Sequence, residues 1–197
     1  MLKVAVLVSG GGTNLQAILD AVDSGKITNA KVEKVISNVA GAYALERAKN
    51  HGVQGVTLRR KDFENKRAWE QALINEIEDC GAQLIVLAGF MAILSENFTK
   101  HFENKIINVH PSLIPSFCGE GMYGLHVHEA ALAKGVKVSG ATVHFVNEEV
   151  DGGKIIAQKA VEVLAGDTPE TLQKRIMQQA EWIILPQAID DIANNRI

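Results

Sequence analysis

KVAVLVSGGGTN, residues 3 to 14, reads as a strand, a tight turn and the start of a helix. Residues 3 to 8 form a continuous β-branched apolar run, the pattern of a parallel strand covered on both faces. Three glycines end it. From Asn14 onward Leu15, Ile18, Leu19 and Val22 recur at helical spacing until Gly25 closes the pattern. Backbone N–H groups at such a helix start, reached with no side chain in the way, suit a phosphate. Read more plainly, the same glycines only permit the turn.

The strand–helix rhythm continues outward from this unit. Apolar runs at Val32–Ile36, Gly55–Leu58, Leu84–Ala88 and Lys105–Val109 alternate with helical stretches at 42–50, 66–80 and 95–102. That alternation predicts a Rossmann-like α/β fold, a mostly parallel twisted sheet with helices on both faces. The rhythm breaks after residue 110. Residues 111 to 125 hold three glycines and two prolines and read as a long loop, a feature that is usually functional. A short helix is predicted over 127–134. Two strand-like runs, 139–146 and 154–163, follow and are joined through Asn147-Glu-Glu-Val-Asp-Gly-Gly153, which predicts a C-terminal antiparallel strand pair. Thr168-Pro169-Glu170-Thr171 then starts a last amphipathic helix running past Trp182. No repeat or linker interrupts residues 1–197, so one domain is expected.

Composition narrows the class. With 197 residues, 47% hydrophobic and 22% charged, the chain matches an ordinary globular protein that needs no disulfide or structural metal. Its formal charge of −3 comes with mixed signs and no basic face, so a nucleic-acid partner is not expected. Cys80 and Cys118 stand far apart and read as reduced thiols. The apolar run ending at Val8 is too short for a membrane span and its flanks do not fit a signal peptide, which reads as a cytoplasmic protein.

The first loop lacks the features of a dinucleotide site. Leu15 stands where a third glycine would be needed, and Ser37-Asn38 where an acidic residue would end the second strand. P-loop spacing is missing as well, so a phosphomonoester is the better ligand. Asn108-Val-His110-Pro-Ser112 begins where the fifth strand ends, at the edge where open α/β sheets bind ligands. Alternate residues of an extended segment point the same way, so Asn108 and His110 can converge on one carbonyl oxygen and stabilise an oxyanion. Asp151, in the turn between the late strands, could raise the pKa of His110 and receive a proton from an attacking amine. Spacing alone does not bring Asp151 to His110.

Five segments in order, Ser9-Gly-Gly-Gly-Thr-Asn14-Leu-Gln-Ala, Ala88-Gly-Phe-Met91, Asn108-Val-His-Pro-Ser-Leu-Ile-Pro115, Thr142-Val-His-Phe-Val146 and Asp151-Gly-Gly, together resemble the phosphoribosylglycinamide formyltransferase family. The resemblance runs from residue 3 to about residue 190. It implies transfer of a formyl group from 10-formyltetrahydrofolate, a co-substrate, to the amine of glycinamide ribonucleotide, with no metal. It implies catalytic roles for Asn108, His110 and Asp151, and phosphate binding by Gly12, Thr13 and Asn14. Glu181, five residues before Pro186, matches a ribose-binding glutamate. Met91, Ala92, Ile93 and Leu94 would line the folate pocket with Asn108, and Asn147, Val150 and Asp151 would close its other side.

Three departures accompany the resemblance. Ala92 replaces a frequent arginine, and Lys66, beside Arg67, replaces an arginine expected to meet the folate. The Phe117–Tyr123 loop is longer than in many relatives. His126 and His128 follow that loop, and a His-x-His metal site is the rival reading of the pair, although no third ligand is apparent. Two rival functions compete with the transferase: another folate formyltransferase or hydrolase, and a non-catalytic nucleotide-binding module.

Overall fold

Along β1 (Leu2–Val8) the side chains alternate between two cores. Val4, Val6 and Val8 enter one, and Ala5 and Leu7 the other, as the two-residue period of a strand requires. The computed structural model describes residues 1–197. In chain order, β1 is followed by α1 (Thr13–Asp23), β2 (Ala30–Ser37), α2 (Tyr43–Asn50), β3 (Gln54–Thr57), α3 (Lys66–Asp79), β4 (Leu84–Leu87), α4 (Glu96–His101) and β5 (Ile106–His110). Then come α5 (Leu125–Lys134), β6 (Val138–Phe145), β7 (Ile155–Glu162), α6 (Pro169–Ile176) and α7 (Trp182–Ala193).

All seven strands join one sheet in the order β3-β2-β1-β4-β5-β6-β7. Pairing is parallel from β3 to β5 and antiparallel for β5–β6 and β6–β7; the parallel set and the β6–β7 pair match the sequence prediction, while the antiparallel β5–β6 pairing was not predicted. The larger core packs α1, α2, α6 and α7 against one face, through Leu15, Ile18, Ala44, Leu172 and Leu185 among others. The smaller core packs α3 and α4 on the other, through Trp69, Leu73, Ile77 and Phe98. Trp69 is fully buried and its indole N–H donates to the Leu58 carbonyl at 2.8 Å. Its truncation to Ala should cost roughly 3–5 kcal/mol. The connections out of β1, β4 and β5 all leave the same end of the sheet, where strand order reverses between β1 and β4 and ligands of open sheets bind.

Several predicted elements shift by a residue or two. The third strand lies one residue earlier than expected and α5 begins two residues sooner. The last helix is not continuous: one π-turn, Met177–Glu181, separates α6 from α7. Pro186 lies within α7 and cannot donate a hydrogen bond to the preceding turn, and widened turns of this kind recur where functional side chains must be re-aimed. Glu181 is the last residue of that turn. Thr168 and Thr171 cap α6 reciprocally, each hydroxyl accepting from the other's backbone N–H. No helix is long and apolar enough to cross a membrane.

Candidate active site

Asn108 and His110 lie two residues apart on β5, on one face of the sheet and at its ligand-binding end. His110 is buried, and its Nδ1 lies 3.5 Å from Oδ2 of Asp151. The fold thus supplies the step that spacing could not. The β6–β7 connection folds back over β5, with Gly153 pressed so closely on Phe145 that a Cβ there would fall 1.7 Å from its carbonyl oxygen. Asp151 itself adopts φ 57°, a left-handed conformation that aspartate tolerates better than most residues.

The loop predicted over 111–125 reaches into this cluster. Nε2 of His110 donates to the Phe117 carbonyl at 2.8 Å, and the Gly119 N–H donates to Oδ2 of Asp151 at 3.0 Å. Phe117 also has a positive φ, 52°, unusual for a bulky residue. The loop is anchored below by Thr142, whose hydroxyl donates to the Ser112 carbonyl at 2.7 Å and accepts from the Ile114 N–H at 3.1 Å.

The protonation expectation for His110 needs correction. Burial pushes its pKa down and outweighs the Asp151 carboxylate and the Phe117 carbonyl, which both pull it up. In the free protein the uncharged ring is therefore favoured relative to a free histidine, and the carboxylate limits this effect without reversing it. For Asp151 burial pushes upward, yet His144, the Gly119 N–H and His110 together hold it below the usual aspartate value.

Two further histidines belong to the site: the sequence reading gave His144 no role and read His128 only as half of a rival metal pair. His144, on β6, places Nε2 3.6 Å from Oδ1 of Asp151 and 3.3 Å from Nδ2 of Asn108. Its signal was the alternation of polar Thr142 and His144 with apolar Ala141, Val143 and Phe145 along one strand. His128, on α5, is fully buried with no protein partner for either ring nitrogen, and burial with the nearby His110 lowers its pKa to about 4. His126 is exposed and pairs with Glu129 at 3.1 Å, so the two rings of the His-x-His pair point into different surroundings. No group of three or more His, Cys, Asp or Glu side chains is arranged to hold a metal ion.

At the start of α1, Gly12 takes φ 71° and packs so tightly on α2 that a Cβ would meet that of Ala44 at 2.6 Å. Asn14 is buried and its amide donates to Oε2 of Glu181 at 2.7 Å, joining two residues the sequence had assigned to neighbouring parts of one substrate. Burial raises the pKa of Glu181 to about 7, against the opposing hydrogen bond from Asn14.

One cleft of about 420 Å³ connects these groups. It is lined by Thr13, Asn14 and Glu181 at one end and by Asn108, His110 and Asp151 in the middle. Met91, Ala92, Ile93, Leu94, Asn147 and Val150 line the other end. Ser9 fixes that far wall, accepting from the Met91 N–H at 2.8 Å while donating to Asn38 at 2.7 Å. Met91, Ile93 and Val150 keep much of their apolar surface exposed. Two predicted contributors do not line the cleft. Gly12 shapes the turn from behind, and Lys66, half exposed, lies 3.8 Å from the buried Glu70 one turn along α3. Glu70 in turn accepts from the N–H and hydroxyl of Ser95, next to Leu94, so Lys66 adjoins the lip without forming it.

Residues 2–189 match the family model described as formyl transferase. This chain belongs to the formyl transferase family. It is a one-carbon group-transfer enzyme by that membership. Within the family, it is 41% identical over 196 residues to a phosphoribosylglycinamide formyltransferase of Escherichia coli, covering all of this chain and 89% of the relative. It is 43% identical to the protein of the same name from Haemophilus influenzae, covering all of this chain and 90% of the relative. The crystal structure of glycinamide ribonucleotide transformylase 1 from Symbiobacterium toebii superposes with a TM-score of 0.93 at 44% identity, over all of this chain and 89% of that one. A formyl transferase needs a place for a donor and an acceptor around one carbonyl carbon, and the three-part cleft has that layout.

Proposed function

We propose that this formyl transferase moves the formyl group of 10-formyltetrahydrofolate to the amine of N1-(5-phospho-β-D-ribosyl)glycinamide, or glycinamide ribonucleotide, a step of de novo purine biosynthesis. The observation that carries this reading is the continuity of one cleft from the start of α1, through Asn108, His110 and Asp151, to the apolar lip at Met91 and Ile93. The phosphate belongs at Thr13 and Asn14, on the turn that Gly12 shapes, where a helix N-terminus offers N–H groups. Glu181 accepts from the ribose hydroxyls. The folate fits the opposite end, where exposed apolar side chains and a cavity of this size suit a flat heteroaromatic ring. The cleft lining includes no Lys or Arg, so an anionic folate tail meets positive charge only beyond the lip, where Lys66 and Arg67 begin α3.

In this reading the neutral substrate amine attacks the formyl carbon directly. The formyl oxygen gains negative charge as the C–N bond forms, and the N–H groups of Asn108 and His110 stabilise it. His110 must first withdraw its Nε2–H from the Phe117 carbonyl, so productive binding displaces that loop contact. Asp151 favours the charged form of His110 as the reaction proceeds and takes up the amine proton, directly or through water. Collapse breaks the bond from the formyl carbon to N10, which receives the proton taken from the amine, through Asp151 or water, as tetrahydrofolate leaves. No covalent enzyme intermediate is needed.

Deformylation of 10-formyltetrahydrofolate, followed with and without glycinamide ribonucleotide, tests the reading. The transferase turns over only with the amine. Amine-independent release of formate would instead indicate a hydrolase, and no release in either condition a binding module.

A further inference from the structure

Asn108 and His144 are directly opposed residues of the antiparallel β5–β6 pair, and such cross-strand neighbours bring their side chains into contact. His144 is almost wholly buried. Its Nδ1 lies 2.8 Å from the carbonyl oxygen of Phe145, a group that only accepts, so Nδ1 carries a proton. In its neutral form the imidazole has no second N–H, so Nε2 presents a lone pair, and the hold of His144 on Asp151 belongs to the charged ring. The nearest polar atom to that lone pair is Nδ2 of Asn108, at 3.3 Å, while Asp151 stands farther off at 3.6 Å.

We propose that His144 is a positioning residue that fixes which way round the Asn108 amide sits. The Phe145 carbonyl sets the tautomer of His144, and the Nε2 lone pair then selects the nitrogen end of the Asn108 amide over its oxygen. Nδ2 has two hydrogens. One is held by His144, and the second is available to the cleft that Asn108 lines. A flipped amide would turn its carbonyl oxygen toward developing negative charge and would repel it. Preorganised donors stabilise an oxyanion because they need not reorient during the reaction, and the relay from Phe145 through His144 provides that for Asn108. This role rests on the formyl-transfer reading for its consequence, but its geometry is independent of it.

Nitrogen-15 NMR of the histidine-labelled free protein at neutral pH reads the tautomer without any turnover. The expected result is a neutral His144 ring protonated at Nδ1. A ring protonated at Nε2, whether neutral or cationic, overturns the relay. In kinetics, His144→Phe should lower kcat about tenfold or more with both KM values within about threefold, and His144→Gln, which returns an acceptor near the Nε2 position, should recover most of the loss. In an Asn108→Ala background, His144→Phe should have almost no further effect, because the group it positions is gone. Equal losses in both backgrounds would reduce His144 to a packing residue and overturn the proposal. Should His144→Phe not fold, His144→Gln against His144→Asn makes the same comparison, since Asn reaches only the Nδ1 position. A wild-type protein without formyl transfer would contradict the proposed function and leave the tautomer measurement to decide the relay.

Discussion

Nδ1 of His110 stands 3.5 Å from Oδ2 of Asp151, although 41 residues separate them in the chain, and the two meet because the β6–β7 connection folds back across the end of β5. Both side chains are nearly buried, so their interaction is screened little by solvent. The same Asp151 oxygen accepts from Gly119, and the other Nε2 side of His110 is held by Phe117. The pair is thereby poised between the loop and the cleft. In the proposed mechanism, a substrate that displaces the loop contact frees His110 and Asp151 together.

Asp151→Asn should retain the left-handed backbone, which asparagine tolerates, and should keep an acceptor for Gly119. Substrate binding should persist while turnover falls about a hundredfold or more, the scale of a lost acid–base contribution. Since Asp151 pulls the His110 pKa up against burial, removing its charge should move His110 further down. An NMR titration of His110 in wild type and variant measures that shift. Near-normal turnover would remove Asp151 from the mechanism.

Glu181 makes folding stability depend on pH. Its pKa rises from an ordinary 4.5 to about 7 in the folded chain, so its carboxyl favours folding when protonated. That contribution is full below the unfolded value and is lost as pH rises from there through about 7. A shift of this size corresponds to roughly 3 kcal/mol, as an order of magnitude. Glu181→Gln preserves the acceptor for Asn14 without the buried charge. Thermal melts should show the variant close to wild type near pH 4 and clearly more stable at pH 8, with weaker binding of glycinamide ribonucleotide. A stability difference that does not grow with pH would contradict the assignment.

The first loop separates folding from binding. Gly12→Ala places a methyl group against Ala44 at a positive φ, so it should destabilise the fold by about 1–3 kcal/mol. Gly10→Ala meets nothing within 4 Å and should leave the melting temperature nearly unchanged, while a phosphate seated on this loop as proposed should be crowded by the added methyl group. Calorimetry should therefore show weakened glycinamide ribonucleotide binding by a stably folded Gly10→Ala. Undiminished affinity would move the phosphate elsewhere.

Neither cysteine should be required. The Cys80 thiol donates to the Ile77 carbonyl and that of Cys118 to Pro115, both as local packing contacts. Burial, with the carboxylates of Asp151 and Glu149, pushes the Cys118 thiol up, away from a reactive thiolate. A Cys80→Ala/Cys118→Ala double variant should turn over within about twofold of wild type by the direct-transfer account, and an inactive one would demand a covalent step.

Much of the architecture was legible because periodicity reports burial directly. The β-branched run before Gly10 announces its strand, and the two-residue period of the fifth strand places Asn108 and His110 on one face. The meeting of Asp151 with His110 was not legible by spacing, since it depends on an antiparallel return 41 residues on. The sign of the His110 shift was misjudged for a similar reason. Sequence shows a carboxylate but not how completely the ring is buried. The π-turn that aims Glu181 and the solitary burial of His128 left no periodic trace at all. Lys66 matched a motif position, yet the turn of α3 leaves it outside the lip.

Direct formyl transfer between two substrates in one cleft is tested most plainly by the fate of the carbon. With carbon-13 in the formyl group of 10-formyltetrahydrofolate, glycinamide ribonucleotide and this protein, NMR should show the label entering a formamide on the glycinamide nitrogen. Tetrahydrofolate should appear mole for mole with it, and His110→Ala should abolish most of the signal. Label recovered as free formate, or a formamide formed at an undiminished rate without His110, would contradict the account.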